Sequence, residues 1–291
     1  MRSVQLYDTT LRDGAQREGI SFSVEDKLKI AHKLDELGVH FIEGGWPGSN
    51  PKDSQFFLRA RSERFKHATL VAFGSTKRHD IKAEDDPNLR SLVDSGVKVV
   101  TIVGKSSRKQ VTEVLGVDLE TNLEMVRESI AYLVSKGLRV FFDAEHFFDG
   151  YRLDPDYSLR TLKVAAEAGA ECLVLCDTNG GSLPSQVTEA VRTVCQAFKN
   201  PIGIHAHNDA ELAVANSLAA VEAGASQVQG TINGYGERCG NANLCSIIPN
   251  LKLKMGINCI SSVNLSKLAD TARFVAGVAN MTLDRHLPYV G

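Results

Sequence analysis

The chain has no cysteine pair at C-x-x-C spacing, and its six cysteines are too sparse for a disulfide scaffold. It is expected to occupy a reducing compartment, with mostly packed thiols. It has no excess of either charge. Lys and Arg number 33 against 35 Asp and Glu, for a formal net charge of -2, so there is no electrostatic reason to expect nucleic acid or an anionic membrane as partner. No apolar run reaches membrane-spanning length and no secretory leader is visible, so a cytoplasmic protein is expected. A glycine-rich dinucleotide fingerprint after the first strand is also missing. Gly104-Lys105-Ser106 resembles the end of a phosphate loop, but Val99 stands where the leading glycine is required.

What is present is a repeated unit. An amphipathic stretch ends in glycine and an apolar, β-branched run follows at once. The joints are Leu37-Gly38-Val39, Ser95-Gly96-Val97, Lys136-Gly137-Leu138, Ala168-Gly169-Ala170 and Ala223-Gly224-Ala225. Glycine just past a helix supplies the left-handed cap that stops it. The pattern predicts strands over residues 4–10, 40–45, 69–74, 98–104, 139–146, 172–178, 202–207 and 227–233. A helix follows each of them. Ser23 and Asp26 form a capping box ahead of Leu28, Ala31, Leu34 and Leu37 at helical spacing. Asp154-Pro155 opens the fifth helix with a cap residue and a first-turn proline. Such βα units over most of 291 residues match an α/β TIM (β/α)8 barrel better than an open doubly wound sheet. The barrel is expected over 1–260. One extra helix is expected over 264–279, in a segment (261–291) that starts a linker. The ending, without cap or closing element, reads as a truncation.

The candidate chemistry starts from His205-Ala206-His207-Asn208-Asp209. Histidines at i and i+2 of a strand point to one side and offer two nitrogens to one cation. A carboxylate at Asp13 is a candidate third ligand. In barrel enzymes active residues sit at the C-terminal strand ends, and the unusual polar residues cluster there: Arg12, Asp13 and Gln16; Glu43; Asp143, Glu145 and His146; Asp177, Thr178 and Asn179; and, after the eighth strand, Asn233, Glu237, Arg238, Cys239, Asn241 and Asn243. Structural alternatives stand beside these readings. Asp13-Gly14 is also a common turn pair. Asp143 and Glu145 share one strand face and can simply pair with a basic neighbour. Thr178 can be an ordinary strand residue or helix cap. Lys105, Arg108 and Lys109 read as a solvated loop that can also touch a phosphorylated substrate. Cys239 has no histidine neighbour to activate it.

These residues resemble the acyl-CoA-condensing branch of the DRE-TIM metallolyases, which includes isopropylmalate, homocitrate and citramalate synthases. Leu11-Arg12-Asp13-Gly14-Ala15-Gln16 with Lys27 matches the first family signature, and His205 through Asp209 the second. The family usually has Gly two residues after that Asp, where this chain has Ala210-Glu211. The stretches from Gly44 to Asp53 and from Phe142 to Tyr151 look like the citramalate synthase subgroup, as does His207-Asn208-Asp209-Ala210-Glu211.

The resemblance implies a homodimeric acyltransferase of amino-acid biosynthesis, leading to isoleucine. It joins acetyl-CoA to pyruvate and releases (R)-citramalate and CoA, with a divalent cation (Mg, Mn, Zn or Co) as cofactor. By resemblance Asp13, His205, His207 and Asn241 hold the metal. Arg12 contacts the oxo acid, Glu145 stands near the reacting carbon, and Thr178 touches the substrate carboxylate. Gln16 and Asp143 are taken as further substrate-facing residues. Known members continue into a linker subdomain with an active-site histidine and a regulatory domain, so this chain is expected to turn over weakly. The alternatives are a 2-isopropylmalate synthase using 2-oxoisovalerate, or a lyase or aldolase of the same family.

Overall fold

The computed structural model describes residues 3–291. Eight strands pair in parallel and in chain order: β1 (Gln5–Asp8), β2 (Phe41–Gly45), β3 (Thr69–Ser75), β4 (Val99–Lys105), β5 (Arg139–Glu145), β6 (Cys172–Asp177), β7 (Ile202–Ala206) and β8 (Gln227–Gly230). β1 pairs with β8 from Gln5↔Gln227 to Asp8↔Gly230 and closes the barrel. The connecting helices are α1 (Val24–Leu37), α2 (Pro51–Ala60), α3 (Pro87–Asp94), α4 (Leu119–Ser135), α5 (Phe147–Leu153), α6 (Pro155–Glu167), α7 (Pro184–Ala197), α8 (Ala213–Ala223) and α9 (Leu244–Pro249). The TIM barrel predicted from the repeat is the observed fold.

Local chemistry sets these elements. The Ser23–Asp26 capping box is reciprocal, and Gly38 ends α1 at φ 87°. All five glycine joints have positive φ, the conformation that L side chains avoid. Along each strand, alternation divides the residues between two cores. Tyr7, Phe41, Val71, Val99, Phe141, Cys172, Val174 and Cys176 fill the barrel interior. Val140, Phe142 and Ala144 of β5 face the helix layer. Tyr7, Phe41 and Phe141 contact one another with ring centroids 5.0–6.2 Å apart, and the Arg139 guanidinium approaches Phe41 and Phe141. The interior is therefore mostly apolar below, where Gln227 is also buried, and its carboxylates and imidazoles gather towards the C-terminal mouth.

The structure departs from the sequence reading at element ends. β1 stops at Asp8, short of the expected residue 10, because the Asp8 carboxylate accepts from the Thr10 N–H and hydroxyl at 2.8 and 2.9 Å and bends the chain out of the sheet. β8 stops at Gly230, and Asn233 adopts φ 62° in the turn beyond it. The single helix expected over 264–279 is two, α10 (Ser262–Leu265) and α11 (Leu268–Val278). α11 lies on α1 through the Lys33–Asp270 ion pair at 2.5 Å. The short helix α5 has no counterpart in the sequence reading. It follows His146, itself at φ 57°. No helix among the described residues is long and apolar enough to cross a membrane.

Asp8 is fully enclosed. Burial pushes its carboxyl up to about 7, against the two Thr10 hydrogen bonds. The unfolded chain loses this proton near pH 4, so between there and about 7 the folded state holds a proton that the unfolded state does not. The contribution of Asp8 to stability therefore falls as pH rises through that window and stays low above it. Asp8→Asn should flatten this slope. The change in unfolding free energy between pH 5 and pH 8, from urea denaturation, should shrink by on the order of 2 kcal/mol relative to wild type.

Candidate active site

The barrel mouth gathers residues from both ends of the chain. Directly after β1 a turn held by the Arg12 and Gly14 N–H groups on Thr9 O, at 3.2 and 3.0 Å, carries Arg12 and Asp13 over the opening. His205, on β7, and His207, just beyond it, point inward with Nε2 atoms 3.3 Å apart. His205 Nε2 lies 3.2 Å from Asp13 Oδ2. Asn241 forms a bridge with His207 and sets its Nδ2 3.0 Å from Asp13 Oδ2 and 3.3 Å from His205 Nε2. All four side chains are buried. Gly236 allows the close approach, since a Cβ there would overlap the Asn241 amide.

This donor set fits a divalent cation. Asp13, His205 and His207 place one ligand atom each within 4.8 Å of the others. Burial opposes ionisation of Asp13, but Arg12 and the hydrogen bond to His205 outweigh it and hold the carboxyl well below the usual range. Burial and the neighbouring His205 press His207 down to about 3, so its imidazole is neutral and keeps a lone pair. His207 Nδ1 and Asn241 Oδ1 are buried without a hydrogen-bond partner. The two ends of the Asn241 amide have the same shape, so its oxygen can face the centre as a ligand. One carboxylate oxygen, two imidazole nitrogens and an amide oxygen suit Mg, Mn, Co or Zn and leave coordination positions open.

Around this centre lies a cavity of about 220 Å³ lined by Arg12, Asp13, Gln16, Asp143, Glu145, Thr178, His205 and His207, with Trp46, Phe73, Val103 and Cys176 as less polar walls. It unites the expected site residues apart from Asn241, which supports it from behind. Arg12 Nε bonds to Glu43 Oε1 at 2.6 Å, and its Nη1 lies 3.4 Å from Asp13 Oδ2. Its guanidinium stacks over Phe73, 3.9 Å from the ring centroid. Glu43 is fully buried, and its other oxygen accepts from Tyr7 Oη at 2.6 Å. Burial pushes Asp143 up to about 7, with His205 opposing the shift. The Thr178 hydroxyl accepts the His146 N–H at 2.8 Å, so Thr178 is neither strand nor helix cap.

Lys105 corrects the sequence reading. It is the last residue of β4, in register with Glu145, and its Nζ lies 2.6 Å from Glu145 Oε2. The inward alternation of Val99, Thr101 and Val103 carried the signal for it. Gln229, bonded to both His205 and Asp143, was also missed and lies on the inward face of β8. Other polar residues at this end have structural duties. Asp177 accepts from Ser182, Asn243 caps α9, Asn233 donates to Ala272 O, and Asp209 pairs with Arg238. Cys239 is exposed.

Lys27, the distant member of the first signature, lies outside the cavity around the cation centre. It forms a buried ion pair with Asp53 and donates to Gly44 O at 3.0 Å. Asp53 also accepts the Trp46 N–H at 2.8 Å, and Gly45 at φ 146° leaves room for that carboxylate. The pair ties the β2–α2 loop, which carries Trp46, to α1. Lys27→Met leaves Asp53 buried and uncompensated and should cost ~3–5 kcal/mol in urea unfolding. Lys27→Met/Asp53→Leu should recover a large part of the loss.

The sequence model of the HMGL-like family matches residues 3–275. Over 291 residues the chain is 56% identical to the (R)-citramalate synthase of Geobacter sulfurreducens, covering 100% of this chain and 55% of that protein. It is 57% identical to the (R)-citramalate synthase of Aquifex aeolicus over 289 residues, covering 99% of this chain and 55% of that protein. A probable 2-isopropylmalate synthase of Methanosarcina mazei is 35% identical over 290 residues, covering 100% of this chain and 54% of that protein. The chain thus spans about half the length of these relatives. Among solved structures, the HMG-CoA lyase of Bacillus subtilis superposes with a TM-score of 0.80 at 21% identity, covering 99% of this chain and 97% of that one. Matched along nearly its whole length, the chain belongs to the HMGL-like family.

Proposed function

We propose that this barrel is the catalytic domain of an acyl-CoA:2-oxo acid acyltransferase that condenses acetyl-CoA with pyruvate to (R)-citramalate and CoA. The observation that carries the reading is the convergence of Asp13, His205 and His207 at the mouth of one cavity that also holds Arg12, Glu145 and Thr178. Relatives called citramalate synthase, at 48–57% identity, support pyruvate over the larger 2-oxoisovalerate of isopropylmalate synthases, at 34–36%. A cytoplasmic homodimer of isoleucine biosynthesis is part of this proposal.

Asp13, His205, His207 and Asn241 are the residues that would hold the divalent cation. The chemistry it supplies when bound is Lewis-acid polarisation of the ketone of a 2-oxo acid. Arg12, oriented by Glu43 and stacked on Phe73, directs its guanidinium fork to the ketone oxygen and compensates the charge that develops there. The Thr178 hydroxyl, already accepting from His146, keeps its own proton to donate to the substrate carboxylate. Gln16 and Asp143 line the same space and bound the substrate.

Glu145 takes a proton from the thioester methyl. Lys105 restrains its Oε2, while the nearest basic group to Oε1 is His146 Nε2 at 3.9 Å. The resulting carbon nucleophile attacks C2 of pyruvate, and the ketone oxygen gains a proton. Water then cleaves the thioester, so that acetyl-CoA, pyruvate and water become citramalate and CoA thiol.

A thiol-release assay with acetyl-CoA and a panel of 2-oxo acids tests this reading. CoA release should be fastest with pyruvate; a preference for 2-oxoisovalerate, or cleavage of a hydroxyacyl-CoA instead, would overturn it. Glu145→Gln should lower kcat by ~10²–10⁴-fold, the usual worth of general-base assistance, with pyruvate affinity by calorimetry little changed. His207→Ala should abolish cation retention, measured by elemental analysis of the purified protein, with its far-UV circular dichroism intact.

A further inference from the structure

Gln229 lies fully buried on the inward face of β8, beside its register partner His205 on β7. Its Oε1 is 2.8 Å from His205 Nδ1, and its Nε2 donates to Asp143 Oδ1 at 3.1 Å. The three side chains form one line across β5, β8 and β7, ending at the nitrogen that faces Asp13 and His207.

We infer that Gln229 is a positioning residue that decides which nitrogen of His205 is offered to the cation, an inference that rests on the metal-dependent reading above. The amide has one donating and one accepting end. The Gln229 NH2 end lies on Asp143 Oδ1 and leaves the carbonyl oxygen facing His205 Nδ1. That oxygen accepts only, so Nδ1 carries the hydrogen. His205 Nε2 then bears the lone pair, and it lies 3.2 Å from Asp13 Oδ2 and 3.3 Å from His207 Nε2. With the amide reversed, Nε2 would carry a hydrogen and could not ligate. Gln229 has no solvent into which it can swing, so Asp143 sets its direction. An outer partner of this kind is typically worth 10–100-fold in metal affinity.

The test uses the full chain, its Gln229→Met variant and the swap variant Gln229→Glu/Asp143→Asn. The swap keeps the charge and returns an acceptor to His205 Nδ1, because the amide now on β5 donates to the carboxylate now on β8. Calorimetric titration with Mn²⁺ should give a Kd 10–100-fold weaker for Gln229→Met, recovered to within a few-fold of wild type by the swap. Imidazole ¹⁵N spectra of the Zn²⁺-loaded wild type should show His205 coordinated through Nε2, with its hydrogen on Nδ1. Wild-type affinity in Gln229→Met, a swap variant as weak as Gln229→Met, or coordination of Zn²⁺ through His205 Nδ1 would each overturn the inference while leaving the metal reading intact. A wild-type chain that binds no Mn²⁺, Mg²⁺, Co²⁺ or Zn²⁺ would overturn both.

Discussion

The parallel pairing of β1 with β8 is the constraint on which the rest depends. Without this closure Asp13 and His205 are separated by most of the polypeptide. With it, the turn after β1 lies beside the ends of β7 and β8, and one carboxylate oxygen comes within 3.2 Å of an imidazole nitrogen contributed from residue 205. Closure also removes both sheet edges and makes the strand ends a ring. Every inward residue near the C-terminal rim then faces the same small volume.

That volume is dense in charge, and its stability requires pairing. Glu43 has no access to solvent, so it must be satisfied from within. Arg12 and Tyr7 bind its two oxygens. Tyr7 in turn contacts Thr101 at 2.8 Å and caps the apolar interior. A chain of contacts thus runs from the packed floor of the barrel to the guanidinium at its mouth. It fixes Arg12 through a buried partner, where a solvated arginine would sample many rotamers. The Lys27–Asp53 pair does similar work one layer out, holding the loop that carries Trp46. Fold and site share these buried ions, so a substitution at either end affects both.

The likeness to the HMG-CoA lyase of Bacillus subtilis, at 21% identity, concerns the scaffold alone. A barrel of this kind supports many reactions, and the chemistry is decided by side chains at the rim. Here the rim pairs a cation-ready cluster with a carboxylate, Glu145, whose near neighbour is Lys105. Carboxylate, guanidinium and imidazole groups thus share one cavity.

The amino-acid sequence by itself determined the period of the fold and marked His205 and His207 as a pair on one strand face. Glycine joints and alternating apolar runs are local signals, because helix caps and strand faces depend on residues a few positions apart. His205 and His207 were legible for the same reason. Even so, local signals placed strand ends poorly where side chains bent the chain, as Asp8 does to Thr10. Only the tertiary structure decided the partners across strands. Lys105 reads as a solvated loop residue until β4 and β5 are set in register and bring it to Glu145. Gln229 reads as an ordinary strand residue until barrel closure seats it between His205 and Asp143. The reason is physical: a hydrogen bond between residues far apart in the chain is specified by register and burial together, and neither is a property of any short stretch of sequence.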